Sequence, residues 1–195
     1  MCRCLLIGRA GEARLKPVEQ GRIPSQIQPA ATTTIAVFDR VVTALSHAAR
    51  DHYGPGLVSL ALFGSVARGT MRSDSDVDIL VVVDSLPKGR LRRVEQFRPV
   101  RERVASAIAE ATEAGIQTRL SPVFKTPGEI EAGSPLLLDM TEDARLLFDR
   151  GNFLARRLAE LRGRLDRLGA RRVWLGDAWY WDLKPDFRPG EVVAL

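Results

Sequence analysis

The segment ALFGSVARGTMRSDSDVDILVVV, residues 61–83, constrains this chain more than any other. Two apolar runs, residues 57–63 and 77–83, are short and bounded by turn-forming residues, so both predict buried strands. Between them lie Gly64-Ser65, one expected helical turn over residues 66–69, and a polar loop over residues 71–75. The second run opens on Asp76 and Asp78, and residues two apart on a strand point to the same face. Two carboxylates held side by side repel each other unless a cation lies between them.

Each part of this segment suits phosphate chemistry. Gly64 lets the backbone approach a phosphate closely, and Ser65 adds a hydroxyl donor. The amides that follow would aim at the same place. Asp76 and Asp78 offer hard oxygen ligands for Mg²⁺, which is commonly held by one or two carboxylates together with substrate phosphates. Arg68 follows closely enough to steady charge on a phosphoryl group in transfer. Gly-Ser after a strand is weak evidence alone, and so is Asp-x-Asp. Their conjunction in one strand-turn-strand unit is much stronger. The residues identify no general base, and Asp78 is the candidate they offer.

The same segment resembles the polymerase-β-type nucleotidyltransferase superfamily, in particular its small bacterial stand-alone members, the minimal nucleotidyltransferases. Gly64, Ser65, Asp76 and Asp78 match the family pattern one for one, and Ala67, Arg68 and Gly69 match its usual continuation. Ser121-Pro122-Val123 resembles a strand-end Ser-Pro of related small proteins, and the tail from Gly169 resembles tails on some of them. The resemblance implies a mixed sheet flanked by helices and transfer of a nucleoside monophosphate from ATP or another nucleoside triphosphate. It assigns Gly64, Ser65 and Arg68 to the nucleotide, Asp76 and Asp78 to Mg²⁺, and Ser65 with the two acids to catalysis. It further implies an antitoxin role, with AMP added to a tyrosine of an all-helical ribonuclease toxin. Antibiotic modification is the alternative enzyme reading, and neutralisation of a partner by contact alone is the non-enzymatic one. Nucleic acid is a further, weaker candidate partner. The family usually supplies a third carboxylate from a later strand. Residues 116–124 contain no acid, with Thr118 and Arg119 where one is expected, and Glu129 and Asp139 lie beyond.

The remaining chain alternates helix and strand patterns, which predicts an α/β or α+β class. Residues 1–34 lack a sustained period and are expected to form a loosely ordered leader. A nucleotidyltransferase domain is expected over residues 35–150, and a basic helix with an aromatic tail packed on it over residues 151–195. Phe38, Val41, Val42, Leu45, Ala48 and Ala49 mark an amphipathic helix that Gly54-Pro55-Gly56 stops. Residues 86–114 read as helical with Pro99 kinking the helix or starting its second half. Residues 116–124 and 144–148 read as third and fourth strands, with a loop and short helix between. Leu154, Leu158, Leu161, Leu165 and Leu168 stripe a helix over residues 153–168.

Charge and composition narrow the partners without choosing among them. Of 195 residues, 45% are hydrophobic and 27% charged, as in ordinary globular proteins, and no apolar run reaches a membrane span. Cys2 and Cys4 stand alone near the start, so a reducing, cytoplasmic setting is expected. The net charge of +5 favours acidic partners such as nucleotides. Arginines over residues 88–103 and 156–172 suit either a polyanion or a solvated helix face. His47 and His52 have no partner at ligand spacing and read as helix surface and cap. Trp174, Trp179, Tyr180 and Trp181 read as a clasp on the domain, with a docking surface as the alternative.

Overall fold

The computed structural model describes residues 29–176 and 178–188. Its centre is a four-stranded sheet of β1 (Leu57–Phe63), β2 (Val77–Val83), β3 (Leu120–Lys125) and β4 (Arg145–Asp149), in the order β3-β2-β1-β4. β1 pairs antiparallel with β2 and β4, and β2 pairs parallel with β3. The mixed sheet flanked by helices is the α/β class expected from the alternation of patterns.

Both faces of the sheet are covered, so the central strands are apolar nearly throughout. Val77, Ile79, Val81 and Val83 of β2 pack with Phe38, Val41 and Leu45 of α1 (Pro29–Tyr53) and with Val100 and Val104 of α4 (Arg98–Glu113). Leu80 and Val82 enter the opposite layer. There they meet Ile130 of α5 (Pro127–Glu131), Leu137 and Met140 of α6 (Pro135–Asp143), and Leu154 and Leu158 of α7 (Phe153–Leu168). The strand period places Asp76 and Asp78 on the same side as Leu80 and Val82, at the open end of β2.

Several boundaries differ from the sequence reading. Helix α1 begins at Pro29, inside the expected leader, while residues 1–28 lie outside the described residues. Proline favours a first helical turn, where its missing N–H costs nothing. The helical stretch near Pro99 is two helices, α3 (Arg90–Gln96) and α4, meeting at the fully buried Phe97, with Pro99 in the first turn of α4. The third strand starts at Leu120 rather than Ile116. Ile116 and Thr118 are buried and Gln117 and Arg119 exposed, so this loop alternates like a strand. It precedes the ladder, which begins where Leu120 meets Val77.

The tail is a two-stranded hairpin of β5 (Arg171–Leu175) and β6 (Ala178–Asp182). Trp179 and Trp181 donate their indole N–H groups to one carboxylate oxygen of Asp139 on α6, at 2.7 and 2.9 Å. Arg172 reaches the same helix through Asp143. The hairpin is therefore held on α6 by polar groups as well as by ring area.

Candidate nucleotidyltransferase site

β1 ends at Phe63, which sits opposite Asp78 in the antiparallel ladder, so Gly64 turns directly beside that carboxylate. Gly64 has φ +72°, and a Cβ built there would collide with Asp78 Oδ2. Both facts call for glycine, since left-handed backbone strains any other residue and here the space is taken. The short helix α2 (Gly64–Arg68) follows and stops at Gly69, itself left-handed with φ +71°. It carries Ser65 and Arg68 onto the wall of an open cleft of about 1000 Å³, which Trp174 and Trp179 of the hairpin also line.

Asp78 is half-buried, and burial pushes its carboxyl above the ordinary carboxylate range. The Ser121 hydroxyl, in register with it on β3, draws it back toward ionisation; the negative charge of Asp76 raises it further and the positive charge of Arg68 lowers it. The four groups thus form one electrostatic unit, although they come from two strands, a loop and a helix.

On β3, Ser121 is in register with Asp78, and Arg119, just before the ladder, lies beside Asp76, so a hydroxyl and a guanidinium face the two acids. Thr118 is buried, and its hydroxyl has no hydrogen-bond partner among the described residues. Arg119 binds Asp76, its Nε lying 3.0 and 3.1 Å from the two carboxylate oxygens. Glu129 and Asp139 are committed elsewhere. Glu129 takes two bonds from Arg93 and closes the capping box at the start of α5, while Asp139 receives the two indoles. Among the described residues, no group of three or more His, Cys, Asp or Glu is placed to hold a metal ion.

About half of the arginines in the two runs are ion-paired within the chain. Arg98 lies against Glu95 and Glu102, Arg157 against Glu131 and Glu160, and Arg162 against Glu142 and Asp166. Ion pairs among exposed side chains are what a solvated helix face produces. His52 bonds the carbonyl of Gln96 at 2.9 Å, tying the end of α1 to the end of α3. No helix among the described residues is long and apolar enough to cross a membrane.

Residues 44–141, half of the chain, match the family model of the nucleotidyltransferase domain. The chain belongs to that family. The match spans the turn at Gly64, the acids Asp76 and Asp78, and Ser121, so the family resemblance read from residues 57–83 holds, and with it the enzyme class of nucleotidyltransferase. A Methanocaldococcus jannaschii protein, provisionally named a protein adenylyltransferase, is 29% identical over 136 residues, covering 69% of this chain and 86% of the relative. Similar solved structures include a toxin–antitoxin crystal structure with AMP-PNP, with TM-score 0.41 and 17% identity over 67% of this chain and 91% of that one. Another is the MntA-HepT toxin–antitoxin, with TM-score 0.35 and 15% identity over 71% of this chain and 92% of that one.

Sequence reasoning did not find the hairpin's contacts at the cleft or the place of Asp143 in its wall. The aromatic cluster was visible, but not where it docks. Asp143 carries no local signal, because its partners Arg68 and Arg172 lie 75 and 29 positions away.

Proposed function

We propose that the chain moves AMP from ATP to a hydroxyl of a protein acceptor, with Mg²⁺ as cofactor. The observation that carries this reading is the packing of Gly64 against Asp78, which joins the Gly64-Ser65 turn to a carboxylate pair at one strand end. The donor set fits a divalent cation. Asp76 and Asp78 are mutually repelling oxygen donors on one face, and the proton affinity of Asp78 is raised partly by Asp76. When bound, Mg²⁺ supplies charge stabilisation for the phosphates.

The protein's own groups take the other roles. Ser65 and the backbone at Gly64 bind the triphosphate, and Arg68 contacts it from the cleft wall. The acceptor oxygen attacks the α-phosphorus in line and forms the new P–O bond. The bond from the α-phosphorus to the bridging oxygen breaks, and pyrophosphate leaves. We assign the acceptor's proton to the Asp78 carboxylate, which lies beside the turn at Gly64. The name of the Methanocaldococcus relative supports a protein acceptor. The family resemblance supports a tyrosine of an all-helical ribonuclease-type toxin, which would make this chain an antitoxin.

A second reading rests on the Arg119–Asp76 pair. A guanidinium already pairs with one acid, and among the described residues no third acid joins them, which favours a protein that neutralises its partner by contact alone. Incubation with ATP labelled at the α-phosphate and Mg²⁺, with and without the neighbouring gene's product, separates the two. Label on that product, absent with Asp76→Asn/Asp78→Asn, supports transfer. Binding that survives EDTA, with no label moved, supports contact.

A further inference from the structure

Arg68 sits on the face of a tail residue. Its guanidinium carbon lies 4.8 Å from the centre of the Trp179 ring, and its Nη1 lies 3.4 Å from Asp143 Oδ2. The same carboxylate oxygen accepts from Nη1 of Arg172 at 3.0 Å. Arg172 in turn lies over both Trp179 and Trp181, at 5.1 and 5.5 Å from their ring centres. The side chains of Arg172 and Asp143 are only 11% and 14% exposed, so this is a packed array and not a loose surface pair.

The hairpin register explains how it is built. Trp174 pairs with Trp179 and Arg172 with Trp181, so all four side chains share one face. Near the strand ends that face is fastened to α6, where Trp179 and Trp181 donate to Asp139. At the turn it lines the cleft, where the half-exposed Trp174 shares the wall with Ser65 and Arg68. Arg68 uses one N–H on Asp143, and its other guanidinium donors have no protein partner among the described residues. A cation held from behind and below, with free donors at an open cleft, is preorganised for an anion.

We infer that the C-terminal hairpin is part of the nucleotide site: Trp179, Asp143 and Arg172 are positioning residues that hold Arg68 for the phosphates of the nucleoside triphosphate. This rests on the transfer reading above, in which Arg68 contacts phosphate. It gives the aromatic tail a part in nucleotide binding beyond clasping the domain. Fixing one long side chain before binding removes an ordering cost that the nucleotide otherwise bears.

Its test is a double-mutant cycle on ATP binding, using the full chain with Mg²⁺ and calorimetry. Trp179→Ala, Asp143→Asn and Arg68→Ala should each weaken ATP by roughly tenfold, the size of a desolvated cation–π or charge-assisted contact. Adenosine affinity should not change. Trp179→Ala combined with Arg68→Ala should weaken ATP no more than Arg68→Ala alone, because the tryptophan acts through the arginine. Trp179→Phe, which keeps a ring under the guanidinium, should recover most of the affinity, and in transfer assays KM for ATP should move more than kcat. Thermal melts check that each variant is folded. If Trp179→Ala leaves ATP binding unchanged, or if its effect adds to that of Arg68→Ala, the inference is overturned while the transfer reading stands. If the wild-type chain binds no nucleotide, both fall.

Discussion

Arg119 holds Asp76 through a two-pronged contact, one Nε placed within 3.1 Å of both carboxylate oxygens. The arginine side chain is 81% exposed and the aspartate 32%, so the pair sits in solvent, where such bridges contribute roughly 0–1 kcal/mol. Its consequence is for ligands more than for stability. Any cation bound at Asp76 must share that carboxylate with a guanidinium. Arg119→Ala should leave the melting temperature nearly unchanged and tighten Mn²⁺ or Mg²⁺ binding several-fold by removing a competing positive charge. Isothermal titration beside a thermal melt measures both.

Gly64 should tolerate no side chain. Gly64→Ala forces a Cβ into left-handed backbone and against Asp78 Oδ2. The backbone strain should cost about 1–2 kcal/mol in chemical denaturation. Displacement of the Asp78 carboxylate should lower label transfer by about 100-fold, the scale of a 1 Å misplacement at a reacting centre.

Asp78 works against the fold. Its proton affinity is raised in the folded state, first by burial and then by Asp76. A carboxyl with a raised folded pKa contributes fully below its unfolded pKa and loses that contribution as pH rises through the folded value. At neutral pH the ionised group therefore destabilises the protein. In EDTA, Asp78→Asn should melt higher at pH 7, by about 2 °C once solvent screening is allowed for, and the gain should vanish as pH falls below the carboxylate range. The same variant should transfer no label.

Glu129 has the opposite sign. Arg93 bonds both its oxygens and Thr126 donates a backbone N–H, so its proton affinity is lowered in the folded state. That stabilisation is present above the unfolded pKa and is lost as pH falls through the folded one. Glu129→Gln should cost about 1 kcal/mol at neutral pH, discounted for its partial exposure. The gap from wild type should close in acid. A series of urea melts across pH measures it, and label transfer at neutral pH should be unaffected.

What the sequence determined by itself is local. The Gly64-Ser65 turn, the two-residue spacing of Asp76 and Asp78, and the leucine stripe of α7 follow from strand and helix periods that a short stretch of chain already contains. The family match over residues 44–141 includes that turn and both acids. The tertiary structure alone decided what faces those residues. Parallel pairing of β2 with β3 put Ser121 opposite Asp78 and left Arg119 free to close on Asp76, 43 positions away. Docking of the hairpin on α6 brought Trp179 beneath Arg68 and gave Asp143 two arginines to hold. These contacts depend on strand register and on which helix a tail finds, and no periodicity along the chain carries that information.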